Sequence, residues 1–179
     1  MLAGCGGKSA NAPTTTGQKT TQASTTKRAR VSHAAPQLEA LLPSMIDGHR
    51  LAKGSATGAV VLSGNNAFSQ VLKGILGRAG KTPEDLTFAN AQAPALGVEV
   101  GAFRVVGLAA PALSDAIVRS TRPNAPGLAV SSRRVGNRRV TKVVYPSGAT
   151  LYLYPHGDVV FYVGTRDEML AARILHRLG

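Results

Sequence analysis

The chain has 179 residues, 44% hydrophobic and 17% charged, a length that suits one domain with or without a tail and excludes a multidomain machine. Lys and Arg number 21 against 9 Asp and Glu, a net +12 that favours acidic partners, while four Tyr, four Phe and no Trp argue against a surface built on base stacking. The single cysteine, Cys5, excludes an intrachain disulfide and a cysteine metal cluster, and no apolar run approaches the roughly 20 residues a membrane-spanning helix needs.

Residues 1–36 carry Lys8, Lys19, Lys27, Arg28 and Arg30 and no acid, a charge of +5. The rest of the chain has 16 basic and 9 acidic side chains, a charge of +7. The stretch from Lys8 to Thr26 is dominated by Thr, Ser, Ala, Gln, Gly and Lys, and Val31 is the only branched apolar residue between Leu2 and Leu38. Such a segment cannot bury enough apolar surface to offset its backbone entropy. It reads as a flexible tether, with a Thr-rich recognition or glycosylation segment as the alternative.

Ahead of the tether stands Leu2-Ala3-Gly4-Cys5-Gly6-Gly7. These residues resemble the lipobox of bacterial lipoproteins, in which an apolar residue and two small residues precede the cysteine. The resemblance implies cleavage just before Cys5, a diacylglyceryl group on its sulfur, and a tethered domain on the extracytoplasmic face of the cell membrane. It further implies a basic and apolar signal region ahead of residue 1, since only four residues precede Cys5. With Met1 as the native start, Cys5 would instead be an exposed thiol of a cytoplasmic protein.

Residues 37–179 read as one folded domain. Leu38, Leu41 and Leu42 form a short apolar face bracketed by Pro36 and Pro43. Asp47-Gly48 marks a turn before a strand near 50–54. Gly54-Ser55-Ala56-Thr57-Gly58 lacks the Lys of a phosphate-binding loop and reads as a plain loop. Phe68, Val71, Leu72, Ile75 and Leu76 make one face of a helix over 66–78. Thr82-Pro83-Glu84-Asp85 opens a single turn. Strands follow at 87–92 and 98–106, the second with Gly101 as a candidate bulge, and Pro111 opens a helix over 111–120.

The third quarter is a run of hairpins. Strands at 128–135 and 138–145 flank Gly136-Asn137, a two-residue turn signal. Further strands at 150–154 and 159–163 are separated by Pro155-His156-Gly157-Asp158. Thr165-Arg166-Asp167-Glu168 reads as a capping box opening a last helix over 166–178. One echo is visible: Val106-Gly107 precedes Leu113 and Ile117 at the same offsets at which Val163-Gly164 precedes Leu170 and Ile174. It is either a weak repeat or the spacing any strand–turn–helix unit needs. The expected architecture is α+β in two layers, with a mainly antiparallel sheet, a four-strand meander at 127–163, and helices 66–78, 111–120 and 166–178 on one face.

No catalytic constellation stands out. His33, His49, His156 and His176 have no metal-ligand spacing, and the nucleophile-elbow, phosphate-loop and dinucleotide patterns are absent. No cofactor or metal is expected. His156 and Asp158 would suit acid–base work in an envelope hydrolase, but Gly157-Asp158 is equally the chemistry of a turn. The strongest binding signal is Arg133, Arg134, Arg138, Arg139 and Lys142 on one hairpin. Guanidinium is a bidentate anion ligand, so this prong suits phosphates of nucleic acid, lipid headgroups or wall polymers. Its alternative is an edge kept soluble by charge. Alternation would place Arg133 and Arg139 on one face and Arg134 and Arg138 on the other, depending on register. Tyr145, Tyr152, Tyr154, Phe161 and Tyr162 read as sheet and core aromatics. The functional expectation is a non-catalytic lipid-anchored envelope protein with a binding or scaffolding role, or a soluble binder of polyanions through this hairpin.

Overall fold

The computed structural model describes residues 32–178, and of Asn124 only the backbone. Cys5 and the tether as far as residue 31 lie outside the described residues. The elements run α1 (Pro36–Ala40), β1 (Met45–Ile46), β2 (His49–Arg50), β3 (Ala52–Thr57), α2 (Gly58–Leu62), α3 (Ala67–Arg78), β4 (Leu86–Ala93) and β5 (Val98–Val105). They continue with α4 (Ala110–Thr121), β6 (Ala129–Val135), β7 (Arg138–Val144), β8 (Thr150–His156), β9 (Val159–Gly164) and α5 (Glu168–His176). Strands β3 to β9 form one antiparallel sheet in the order β3-β4-β5-β9-β8-β7-β6, and β1 and β2 form a separate ribbon. The α+β class with a mainly antiparallel sheet is therefore the observed one.

Turn chemistry sets the strand ends. Asp47 and Gly48 have φ of 47° and 79°, the pair of positive angles a type I′ hairpin requires. Gly136 and Gly157 open the two-residue loops of β6–β7 and β8–β9 with φ of 60° each, the position a type II′ turn gives to glycine. Gly101 makes no bulge, because the β4–β5 and β5–β9 registers run through it unbroken. It pairs with Tyr162, whose ring occupies the space a Cβ would take. Two further expectations are corrected. The segment at 54–58 is an edge strand and the start of a helix, because its backbone pairs with β4. The cap of α5 is Asp167, whose carboxylate accepts from the N–H groups of Met169 and Leu170; Thr165 Oγ1 accepts from Asp167 N instead.

The single helical layer is corrected too, because both faces of the sheet are covered. One core packs α1 and α5 on Val100, Tyr152, Tyr154, Phe161 and Val163. The other packs α3 and α4 on Phe103, Val105, Leu153, Val160 and Tyr162. Strand β9 lies between them, and Val159 to Val163 are all buried. Full burial of each such side chain contributes roughly 1.5–3 kcal/mol, which makes this strand the centre of the fold. The two units of the strand–turn–helix echo are related by the sheet: antiparallel β5 and β9 are neighbours, yet α4 and α5 lie on opposite faces.

Residues 32–35, which composition groups with the tether, run along the outside of β3. His33 bridges Ser55 in parallel, Ser55 N donates to Ser32 O at 2.8 Å, and Ala35 N donates to Ser55 Oγ at 2.7 Å. Helix α1 then folds over the sheet with Leu38 and Leu42 buried. Among the described residues no helix is long and apolar enough to cross a membrane.

Candidate anion-binding face

A two-residue loop fixes every pair of the hairpin it closes. Val135 stands opposite Arg138, so Arg134 stands opposite Arg139 and Arg133 opposite Val140. Cross-strand partners point to the same face. The expected grouping is therefore corrected: Arg134 and Arg139 share one face, and Arg133, Arg138 and Lys142 share the other.

The three on the α5 side have intramolecular partners. Lys142 Nζ donates to Glu168 Oε2 at 2.7 Å and lies over the Tyr152 ring, 5.5 Å from its centroid. The bond to Glu168 raises the Lys142 pKa and holds the Glu168 carboxyl below the usual carboxylate range. Arg133 stands 3.8 Å from the same carboxylate. Arg138 donates to Tyr154 Oη at 2.8 Å and to the carbonyl of Leu178 at 3.2 Å, with its guanidinium 5.1 Å from the Tyr154 ring centroid. It thereby ties β7 to the C-terminal end of α5.

Arg134 and Arg139 differ. Both are exposed, and among the described residues neither has an acid or a hydrogen-bond acceptor in reach. Helix α4 packs over β8 and β9 and leaves this corner of the sheet open. Beside Arg139 lies a shallow groove of about 410 Å³, lined by Ser132, Asn137, Thr141 and Pro155. Ser132 and Thr141 pair across the strands one step below the arginines on the same face, which adds two hydroxyls to two guanidiniums. Like charges directly opposite in a sheet repel, so an anion seated between them gains both attractions and removes the repulsion.

Charge is distributed unevenly over the domain. All ion pairs among the described residues, namely His33–Glu39, Arg104–Asp158, Arg133–Glu168, Lys142–Glu168 and Arg173–Asp47, lie on the α1/α5 side. On the α3/α4 side Lys73, Arg119, Arg134 and Arg139 have no ion pair among the described residues, and Arg78 donates to Ser120 Oγ at 2.8 Å.

His156 and Asp158 do not act as a pair. The Asp158 carboxylate binds Arg104 at 2.9 Å and is 68% exposed, while His156 Nδ1 is 3.2 Å from Tyr154 Oη and its ring stacks on Tyr154. No group of three metal-ligating side chains occurs among the described residues. Tyr152, Tyr154, Phe161 and Tyr162 are buried, as core aromatics should be. Tyr162 donates to Glu99 Oε1 at 2.8 Å, and burial with that neighbouring carboxylate pushes its pKa far up.

Sequence reasoning missed a second polar cluster, at the β3 edge. Glu39 is 8% exposed and accepts from the Ser55 hydroxyl and from His33 Nδ1, the latter at 2.8 Å. Burial alone would raise its pKa, but these hydrogen bonds, aided by the charge of Lys53, outweigh burial and hold it below the ordinary value. Lys53 Nζ donates to the carbonyls of Glu39 and Leu42 at 3.1 and 2.5 Å, serving the C-terminal end of α1. The available signal was one acid set inside the Leu38, Leu41 and Leu42 face. Here the carboxylate, not the histidine, is central, so the cluster is a latch and not a nucleophile–base–acid chain. No protein-family model, curated protein or solved structure matches the chain, so its reading rests on this geometry.

Proposed function

We propose that the chain is a non-catalytic, lipid-anchored protein of the bacterial cell envelope whose domain binds anionic groups through Arg134 and Arg139. One observation carries the binding half: of the five basic residues on the hairpin, these two stand side by side with no partner among the described residues. Anchoring is supported by Leu2-Ala3-Gly4-Cys5 followed by a polar tether, which would hold the basic domain close to the membrane. A second reading, a soluble binder of nucleic acid or another polyanion, uses the same arginine pair and differs in the role of Cys5.

Titration of the full chain with inorganic polyphosphate at rising NaCl tests the binding half. Affinity should fall steeply with salt, and Arg134→Ala with Arg139→Ala should weaken it about tenfold or more. Arg133→Ala with Lys142→Ala should change it less than about twofold, because both side chains are already engaged by the Glu168 carboxylate. Equal losses in the two double variants would overturn the assignment. Acyl-chain labelling of the precursor tests anchoring, and membrane association unchanged by Cys5→Ala would overturn that half.

A further inference from the structure

We infer that the outer edge of β6 is a docking site for an extended acidic peptide of a partner protein, which adds to the sheet as an eighth strand. The inference rests on the anion-binding reading and deepens it by naming the ligand class.

The sheet has two edges. The β3 edge is closed by residues 32–35, whose backbone bonds are made to Ser55. The β6 edge is open over Ala129–Val135, and among the described residues no hydrogen bond reaches its outer side. Of the usual devices that blunt an edge it has charge alone, in Arg133 and Arg134: it has no proline, it is seven residues long, and its seven pairs with β7 run without a bulge.

Register says which groups point outward. The pair flanking a two-residue hairpin loop exchanges both backbone bonds, and alternation then turns the N–H and C=O groups of Arg134, Ser132 and Val130 to the open edge. The side chains of these three residues all lie on the α3/α4 face, with Arg139 behind Arg134. An incoming strand therefore meets a row of backbone donors and acceptors and an unpaired cation pair on one face. An antiparallel strand would place an acid opposite Arg134, a small polar residue opposite Ser132 and an apolar residue opposite Val130. Such strand addition draws affinity from the backbone and specificity from alternate side chains.

Charge complementarity selects the occupant. A second copy would bring another chain of net +12 against these arginines, and like charges opposite one another oppose pairing. An acidic strand removes the repulsion between Arg134 and Arg139.

The test uses the full chain and the fluorescent peptide acetyl-Thr-Glu-Glu-Thr-Thr-Val-Thr-amide, with polyphosphate as the second probe. Wild type should bind both, and a peptide with Lys in place of Glu should not bind. Ser132→Pro removes one outward N–H and leaves the bonds to β7 intact, a placement an edge strand tolerates. This variant should weaken peptide binding about tenfold and change polyphosphate binding less than about twofold. Arg134→Ala with Arg139→Ala should weaken both. Should Ser132→Pro fail to fold, a peptide N-methylated opposite Ser132 and Arg134, tested on wild type, should lose binding to the same extent. Peptide binding unaffected by Ser132→Pro and by N-methylation, or binding of polyphosphate alone, would overturn strand addition and leave the anion reading standing. Binding of neither probe would overturn both.

Discussion

The two edges of the sheet are protected in opposite ways. At β3 the chain covers itself: residues 32–35 bond to Ser55, Leu38 and Leu42 are buried, and Glu39 locks the segment through Ser55 and His33. At β6, among the described residues, nothing covers the backbone, and Arg134 and Arg139 stand beside it without partners. Covering an edge adds to folding stability and removes the edge from use. Guarding it with like charge reduces stability slightly and leaves a surface that excludes copies of itself while attracting an opposite charge. The molecule thus has one edge covered by its own chain and one that, among the described residues, is left open beside two arginines.

The largest effect should come from the closed edge. Leu38 is 2% exposed, and Leu38→Ala should cost about 2–4 kcal/mol by lost burial and the cavity left behind, read as the shift of a urea midpoint at constant slope. Hydrogen exchange should show Ser55 losing protection first, because its amide is held by Ser32. Loss spread evenly over all strands would mean that the segment is not a separable cover.

Glu39→Ala comes next. It leaves the Ser55 hydroxyl without its acceptor in a buried site, a cost of about 1–3 kcal/mol in the same denaturation assay. Acid sharpens the point. The folded-state pKa of Glu39 is lowered, so its contribution is complete above its ordinary value of about 4.3 and is lost as pH falls through the folded value. The stability difference between wild type and Glu39→Gln should therefore hold steady near neutrality and shrink below about pH 4. A difference that grew on acidification would show that the carboxylate is not stabilised by its hydrogen bonds.

The β6 side should respond less, and with opposite signs for neighbouring arginines. Arg138→Ala removes bonds to Tyr154 and to the Leu178 carbonyl and should cost about 1–2 kcal/mol. Arg134→Ala removes one of two repelling charges and should stabilise the domain by about 0.2–1 kcal/mol, while polyphosphate affinity falls. A destabilising Arg134→Ala would mean that the guanidinium has a structural partner and would end the contrast between the edges.

Much of the fold was legible because its signals are local. Gly136-Asn137 and Asp47-Gly48 are turns by backbone chemistry, and helix α3 follows from Leu72, Ile75 and Leu76 at helical spacing. The hairpin register was legible in principle, since a two-residue loop leaves one pairing scheme, and this places Arg134 opposite Arg139. The covering of both sheet faces also had a trace. Val159-Val160-Phe161-Tyr162-Val163 is an unbroken apolar run, where a strand with one solvated face would alternate. The latch had almost none, because Ser32, His33, Glu39 and Ser55 are unremarkable until folding brings two distant segments together.

The sequence by itself determined where most of the strands and helices lie, how the hairpins turn and that the chain is basic, since propensity, turn chemistry and net charge depend on near neighbours or none. Residues 54–57, a strand only because β4 lies beside them, are the exception. Only the tertiary structure decided which basic residues are neutralised, which sheet edge is closed and which face each helix covers. Those outcomes depend on the partner that long-range packing sets beside each side chain. Glu168, 26 residues from Lys142, engages Lys142 and Arg133 on one side of the hairpin, and among the described residues no such acid stands beside Arg134 and Arg139 on the other.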